Sequence, residues 1–414
     1  MNRVIIVGNG FDLAHGLRTK YEDFINWYWD KWYEKAHRSL NFIEKDELCE
    51  IRAKDNYISS YFYIHYKTGN RYEQIKNVVE EYNILLILSP LLECISKSVE
   101  TKGWVDIEAD YYAMLIECKG KKEKLERLNR DFVVIQNLLV EYLKEVQEQK
   151  INESILCDDI KNAMLSPFFK EEIAIASEPV WRNFVTSRVN VNKQSYLFLL
   201  KDYDTISIDY NILDDIGHKE YSALLNGGKL KDSRARQLLL PEKIMLLNFN
   251  YTESADLYIP QNDRFIVNHI HGELYSIESV IFGYGDESDD EYKAIVKQND
   301  NEYLRHIKTN RYLEADKYRQ LLSFINSAPF QICIMGHSCG LSDKTMLNTL
   351  FEHDNCVSIK PYYYVNEQGK DNYLDMVQNI SRNFTNPQLM RDRVVNKTYC
   401  EELPQVTRKQ KEEE

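Results

Sequence analysis

Four short stretches of the chain carry residue types that could do chemistry. The first, "VIIVGNGFDLAHGL" (residues 4–17), runs from four apolar residues into Gly8-Asn9-Gly10 and then a helix-like segment. A strand followed by Gly-x-Gly is half of a dinucleotide fingerprint: glycine permits the tight turn and lets backbone N–H groups approach a phosphate. Leu13 stands where the third glycine would fall, so the turn reads equally well as a plain bend between strand and helix. Asp12, just inside the helix, would cap it or bond a ribose hydroxyl, and would repel a phosphate placed close to it.

The second stretch, "LNFNYTESAD" (247–256), places Asn250 where a strand ends, at the carboxyl edge where open α/β sheets bind ligands. An Asn there is also a common turn former. The third, "VNHIHGEL" (267–274), sets His269 and His271 two apart, which on a strand turns both side chains to one face. A metal would need a third ligand, and no His/Asp/Glu cluster at telling spacing supplies it. The pattern therefore predicts no metal, with His271 as a general base or acid before Gly272 and His269 packed behind it. The fourth, "IMGHSCGLSDK" (334–344), contains Gly336-His337-Ser338-Cys339-Gly340, a match to the G-x-S-x-G nucleophile elbow. Only His353 follows Ser338, in the next helix, and that order does not suit a hydrolase triad. The alternative is a glycine turn whose Ser338 and backbone amides bind ribose or phosphate, with Asp343 capping the helix.

The elements that must position these residues are legible as patterns. Residues 3–7, "KIMLLNF" (243–249), "RFIVNHIHG" (264–272), "FQICIMG" (330–336) and "CVSIKPYYYV" (356–365) are short apolar runs of the kind buried on both faces of a parallel sheet. Helices are expected at about 301–327 and 343–353 between the later strands, and the alternation argues for an open α/β sheet. Between residues 21 and 240 the pattern is helical instead. Leu125, Leu128, Phe132, Ile135, Leu139, Tyr142 and Val146 fall three or four apart in one long amphipathic helix. "ILLILSPLLECI" (84–95) reads as a buried helix pair. The expected organisation is a core from 1–20 and 241–400, a mainly helical insertion at 21–240, and a charged, disordered tail at 401–414.

Composition narrows the function. A net charge of −13 over 414 residues argues against a general nucleic-acid binder. Eight cysteines without a CxxC pair fit reduced thiols. No secretory signal or apolar run of membrane-spanning length is present, so a cytoplasmic protein without membrane contact is expected.

Taken together, "IIVGNGFDLAHGLRTKYEDF" (5–24), "WVDIEADYY" (104–112), "LNFNYTES" (247–254), "IHGEL" with "IFGYGDE" (270–287) and "IMGHSCGLSD" (334–343) resemble the AbiH family of bacterial abortive-infection proteins, which act against phage. The same order of loops is similar to a divergent sirtuin-type nucleotide fold. That resemblance implies a Rossmann-like (sirtuin-type), mostly parallel sheet that binds NAD. Gly8 and Gly10 would lie near the phosphates and Ser338 near the adenine-side ribose, with Asn9, Phe11, Asp12, Gly336, His337 and Asp343 also lining the cofactor site. Asn250 and His271, with Tyr251 and Gly272 beside them, would flank the nicotinamide ribose. Thr252 stands where sirtuins carry an acidic residue, and their paired CxxC zinc module is missing. The implied chemistry is thus cleavage of NAD, with His271 and Asn250 catalytic, rather than protein deacylation. A non-enzymatic nucleotide-binding module and a serine hydrolase using Ser338 are the alternatives. A phage-derived trigger and a homo-oligomer built on the aromatic-rich insertion are the partners expected.

Overall fold

The computed structural model describes residues 1–62, 70–102, 106–152, 155–190, 203, 213–260 and 262–406. Its strands are β1 (Asn2–Val7), β2 (Ile43–Lys45), β3 (Cys49–Arg52), β4 (Leu85–Leu88), β5 (Ile244–Asn248), β6 (Phe265–His269), β7 (Phe330–Met335) and β8 (Cys356–Tyr362). They form two sheets in two compact units. One unit comprises Met1–Leu17, Ile151–His271 and Tyr312–Glu414; the other comprises Arg18–Lys150 and Gly272–Arg311.

In the first unit β6, β5, β1, β7 and β8 lie side by side in that order, every pair parallel. The expected α/β class with a mostly parallel, Rossmann-like sheet is therefore present. Every residue of β1, β5, β7 and β8 is buried, as a sheet covered on both faces requires. Ile5, Val7, Ile244, Leu246 and Met335 share one core with Met164, Phe168, Trp181 and Phe184. The strand order reverses between β1 and β7, and that switch point is where such sheets open their ligand crevice. The registers align Val7 with Asn248 and Met335, and Asn248 with His269. The loops after all four strands consequently leave from one edge.

Deeper in this unit a buried polar chain ties strands to flanking segments. Arg3 donates to the carbonyls of Met164 and Ser166 (3.0 and 2.6 Å) and to Gln331 Oε1 (3.0 Å). Gln331 donates to Glu172 Oε2 (2.8 Å) and Ser358 Oγ (3.1 Å), and Lys360 Nζ reaches Glu172 Oε1 at 2.8 Å. Glu172 and Lys360 offset each other's burial as an ion pair, while Arg3 is held by neutral acceptors and keeps its Nε without a hydrogen-bond partner among the described residues. Leu403 is buried and donates its N–H to Tyr363 O, so residues 401–406 are ordered against the sheet, contrary to a tail disordered from 401. Residues 407–414 lie outside the described residues.

The second unit holds the helix Lys122–Lys150, and all seven apolar positions expected of it are buried. The helix Tyr21–Arg38 buries Phe24, Tyr28, Trp29, Trp32 and Tyr33. β2, β3 and β4 form an antiparallel sheet. Residues 84–95 are thus not a helix pair: Leu85–Leu88 pairs with β3, and a helix begins at Pro90, where the missing N–H is harmless. The single helix expected over 301–327 is also broken. Lys308 N–H bonds to Tyr284 O, and Ile307 bridges to Tyr284, so the backbone there pairs laterally instead of continuing a helix; Lys317–Ser327 is a separate element. Among the described residues no helix is long and apolar enough to cross a membrane.

At the switch point the β1 and β7 turns interlock. A Cβ on Gly336 would lie 2.0 Å from Phe11 N, one on Gly10 2.8 Å from Gly336 O, and one on Gly8 2.6 Å from His337 Cα. Gly336 also has φ +75°, as does Gly369, where a Cβ would meet nothing within 4 Å. Gly369→Ala should lose about 1 kcal/mol, the strain of the left-handed backbone alone. Gly336→Ala should lose about 3 kcal/mol or more, because overpacking adds to the same strain. Urea unfolding of the two variants measures the difference.

Candidate functional site

The loops leaving the carboxyl edge of the first unit converge. After β1, α1 (Asn9–Ala14) is a single short helix. The turn before it has its amides engaged within the protein: Gly8 N–H bonds to Met335 O, Gly10 N–H to Gly336 O (2.7 Å) and Phe11 N–H to Gly8 O (2.8 Å). Phe11 is wholly buried against His15 and Tyr258. His15 Nδ1–H bonds to Phe11 O, and its Nε2 faces the Tyr258 hydroxyl at 2.6 Å. Asn9 is exposed on the crest of the turn.

The β5 loop is held to α1 by Asp12. This buried carboxylate accepts from Thr252 Oγ1 at 2.7 Å, from Ser254 Oγ and from the Asn250 side chain. Burial pushes its pKa up to about 6, against the pull of the three donated hydrogen bonds. Asn250 also donates Nδ2–H to Gly8 O (3.1 Å), and its backbone N–H bonds to Asn248 Oδ1 (2.9 Å).

β6 ends at His269, so strand alternation stops before His271 and the two histidines go to different carboxylates. His269 Nε2 meets Asp256 Oδ2 at 2.7 Å. His271 Nε2 meets Asp343 Oδ1 at 3.2 Å and the Tyr312 hydroxyl at 3.1 Å. Asp343 does not cap the helix Lys344–Phe351 through its side chain. Its second oxygen instead lies 3.6 Å from His337 Nε2. His337 Nδ1 accepts the N–H of Cys339 at 3.0 Å, which puts the proton of the neutral ring on Nε2, facing the carboxylate. An Nε2-bound metal would need that proton on Nδ1, where it would oppose the Cys339 N–H. Among the described residues no group of three or more His, Cys, Asp or Glu side chains could hold a metal ion. Phe249 fills the space between the histidines, its ring centroid 5.0 Å from that of His271 and 4.3 Å from that of His337; Tyr251 lies 6.4 Å from His271.

Ser338 is exposed on its turn. The positive φ of the pentapeptide's centre falls on Cys339 (+53°) instead, and Cys339 is buried with its thiol pKa pushed far up. His353 packs against Phe330, at the opposite end of β7 from Ser338. Among the described residues His353 is therefore not placed to serve Ser338. Gly272 belongs to the second unit, where a Cβ at its φ of +87° would strike Ser279 O at 2.2 Å.

Tyr312 and Ser254 are not singled out by the sequence, and Thr252 stands out there only as a departure from the sirtuin pattern. Tyr312 was hidden inside what reads as a helix. Thr252 and Ser254 left a usable signal, the alternation of short polar residues in Asn250-x-Thr252-x-Ser254.

A family model described as Bacteriophage abortive infection AbiH matches residues 4–364. The chain belongs to the AbiH family. No curated protein and no solved structure matches it. The AbiH match extends through the second unit, where Glu108 of "WVDIEADYY" is buried; Trp104 and Val105 of that stretch lie outside the described residues. Glu108 bridges two segments: Oε1 accepts Gly283 N–H at 3.0 Å and Oε2 meets Lys308 Nζ at 3.0 Å. Two of the family-like stretches are thereby pinned together by one carboxylate.

Removing one member of such a pair strands the other charge. Glu108→Gln should lower stability by about 3–5 kcal/mol in denaturant unfolding, and the double variant Glu108→Gln/Lys308→Met should recover most of it.

Proposed function

We propose that this AbiH-family protein defends against phage by hydrolysing NAD at the nicotinamide–ribose bond, on a divergent sirtuin-like site in its parallel-sheet unit. The observation that carries the reading is the His271–Asp343 pair, 3.2 Å apart at the carboxyl edge of the sheet. An ionised Asp343 beside Nε2 holds the imidazole proton there and leaves the basic lone pair on Nδ1. His271 then takes a proton from the attacking water or a ribose hydroxyl, and Asp343 balances the imidazolium that results. The bond electrons pass to the pyridinium nitrogen, so nicotinamide departs neutral and no general acid is required. Positive charge builds on the ribose carbon as in other glycosidic cleavages.

Asn250 has both amide hydrogens engaged, with Gly8 O and Asp12, so Oδ1 is the atom left to accept from a ribose hydroxyl or the water. The engaged amides of Gly8, Gly10 and Phe11 leave the pyrophosphate to be met by side chains, and exposed Asn9 and Ser338 stand on the two turns concerned. His271 and His337 are buried, which suits a resting form that a phage-derived trigger opens. The cytoplasm is the place of action in this reading.

NAD and nicotinamide measured during infection, at matched expression, test it. The wild type should deplete NAD. His271→Ala should lower the rate by roughly 100- to 10,000-fold, and Asp343→Asn should fall between them. Protection with NAD unchanged would reject hydrolysis and leave a nucleotide-binding module without turnover.

A further inference from the structure

The segment after β5 alternates. Asn250, Thr252 and Ser254 turn toward Asp12, each donating to its carboxylate. Phe249 and Tyr251 turn toward the histidines, Phe249 lying against both His271 and His337. One side of this bent loop grips α1 while the other walls the acid–base cluster.

We propose that Asp12 is a positioning residue: its carboxylate clamps the 249–254 loop so that Phe249 and Tyr251 hold His271 and His337 in their working orientation. The assignment rests on the reading of that cluster as the hydrolytic centre. It differs from a direct ribose contact, because Asp12 is buried and its oxygens are taken by three protein donors.

An ionised carboxylate only accepts, and three donors face it. Protonation turns one oxygen into a donor, and the Asn250 amide hydrogen cannot reverse its role as a hydroxyl can. Loss of that one bond is outweighed by desolvation: an opened, hydrated Asp12 would return toward its ordinary lower pKa, so with burial holding the carboxyl at about 6 the closed loop gains stability over the open one as pH falls through 6. The groups turned toward Asp12, the side chains of Asn250, Thr252 and Ser254, are all neutral. His15, one turn along α1, directs its ring nitrogens to Phe11 O and Tyr258. The pH response should accordingly belong to Asp12.

Hydrogen exchange of the full-length chain, read by mass spectrometry on the peptide spanning 248–256 and corrected for intrinsic rates, tests this. Asp12→Ala, and Thr252→Val/Ser254→Ala should the first fail to fold, should exchange at least tenfold faster in this peptide, with the helix Lys122–Lys150 unchanged. Wild-type protection should rise between pH 7.5 and 5, and Asp12→Asn should remove that dependence. Both loosened variants should deplete NAD at least tenfold more slowly. Unchanged loop protection in a folded variant, or a pH dependence that survives Asp12→Asn, would overturn the clamp. Loosened loops with NAD loss as fast as wild type would overturn the positioning role. Loosened loops alongside a wild type that never consumes NAD would retain the clamp and reject the hydrolase reading.

Discussion

Two backbones at the centre of the sheet approach so closely that neither tolerates a Cβ. β1 and β7 are neighbours, spaced at the ordinary distance of about 4.8 Å, and the turns that follow them meet before they diverge. Gly10 donates to Gly336 O, and Gly336 sits over Phe11 N. This contact presses His337 against Gly8, sets the start of α1, and so places Asp12 and the Gly8 carbonyl that receives Asn250. The cluster of His271, His337 and Asp343 inherits its geometry from a contact between main chains.

The consequence for chemistry is an exchange of roles between backbone and side chain. In a dinucleotide fold the first turn offers its amides to phosphate. Here those amides close the turn on its neighbour, and polar side chains take over the edge of the sheet. Asp343 serves two imidazoles at once, one through each oxygen. Asp12 serves three donors from one loop. Each carboxylate organises residues that are distant in sequence.

Much of this architecture was legible because it is local. Apolar runs ending in Gly or Asn marked β1, β5, β6, β7 and β8, and helical spacing from Leu125 to Val146 marked the long helix. The glycines at 8, 10 and 336 stood out by type, although sequence could not separate phosphate binding from close packing. What stayed hidden depends on pairing across long separations. Asp343 sits where a capping residue belongs, and only the convergence of two turns directs it to His271. Glu108 and Lys308 are too far apart in sequence for spacing to join them. Leu85–Leu88 and the break near Lys308 were misread because lateral pairing there overrode a pattern that also suits a helix.

The central strand is made long before either of its neighbours. Ile5 pairs with Leu246 on one side and Cys333 on the other, so its neighbours emerge from the ribosome long after it does. At roughly 5–20 residues per second, an apolar strand waits on the order of ten to fifty seconds for its first partner. Throughout that interval "VIIV" has no sheet to enter. Biogenesis of this protein is therefore a problem of shelter during synthesis, and chaperone supply should limit its yield before its finished stability does.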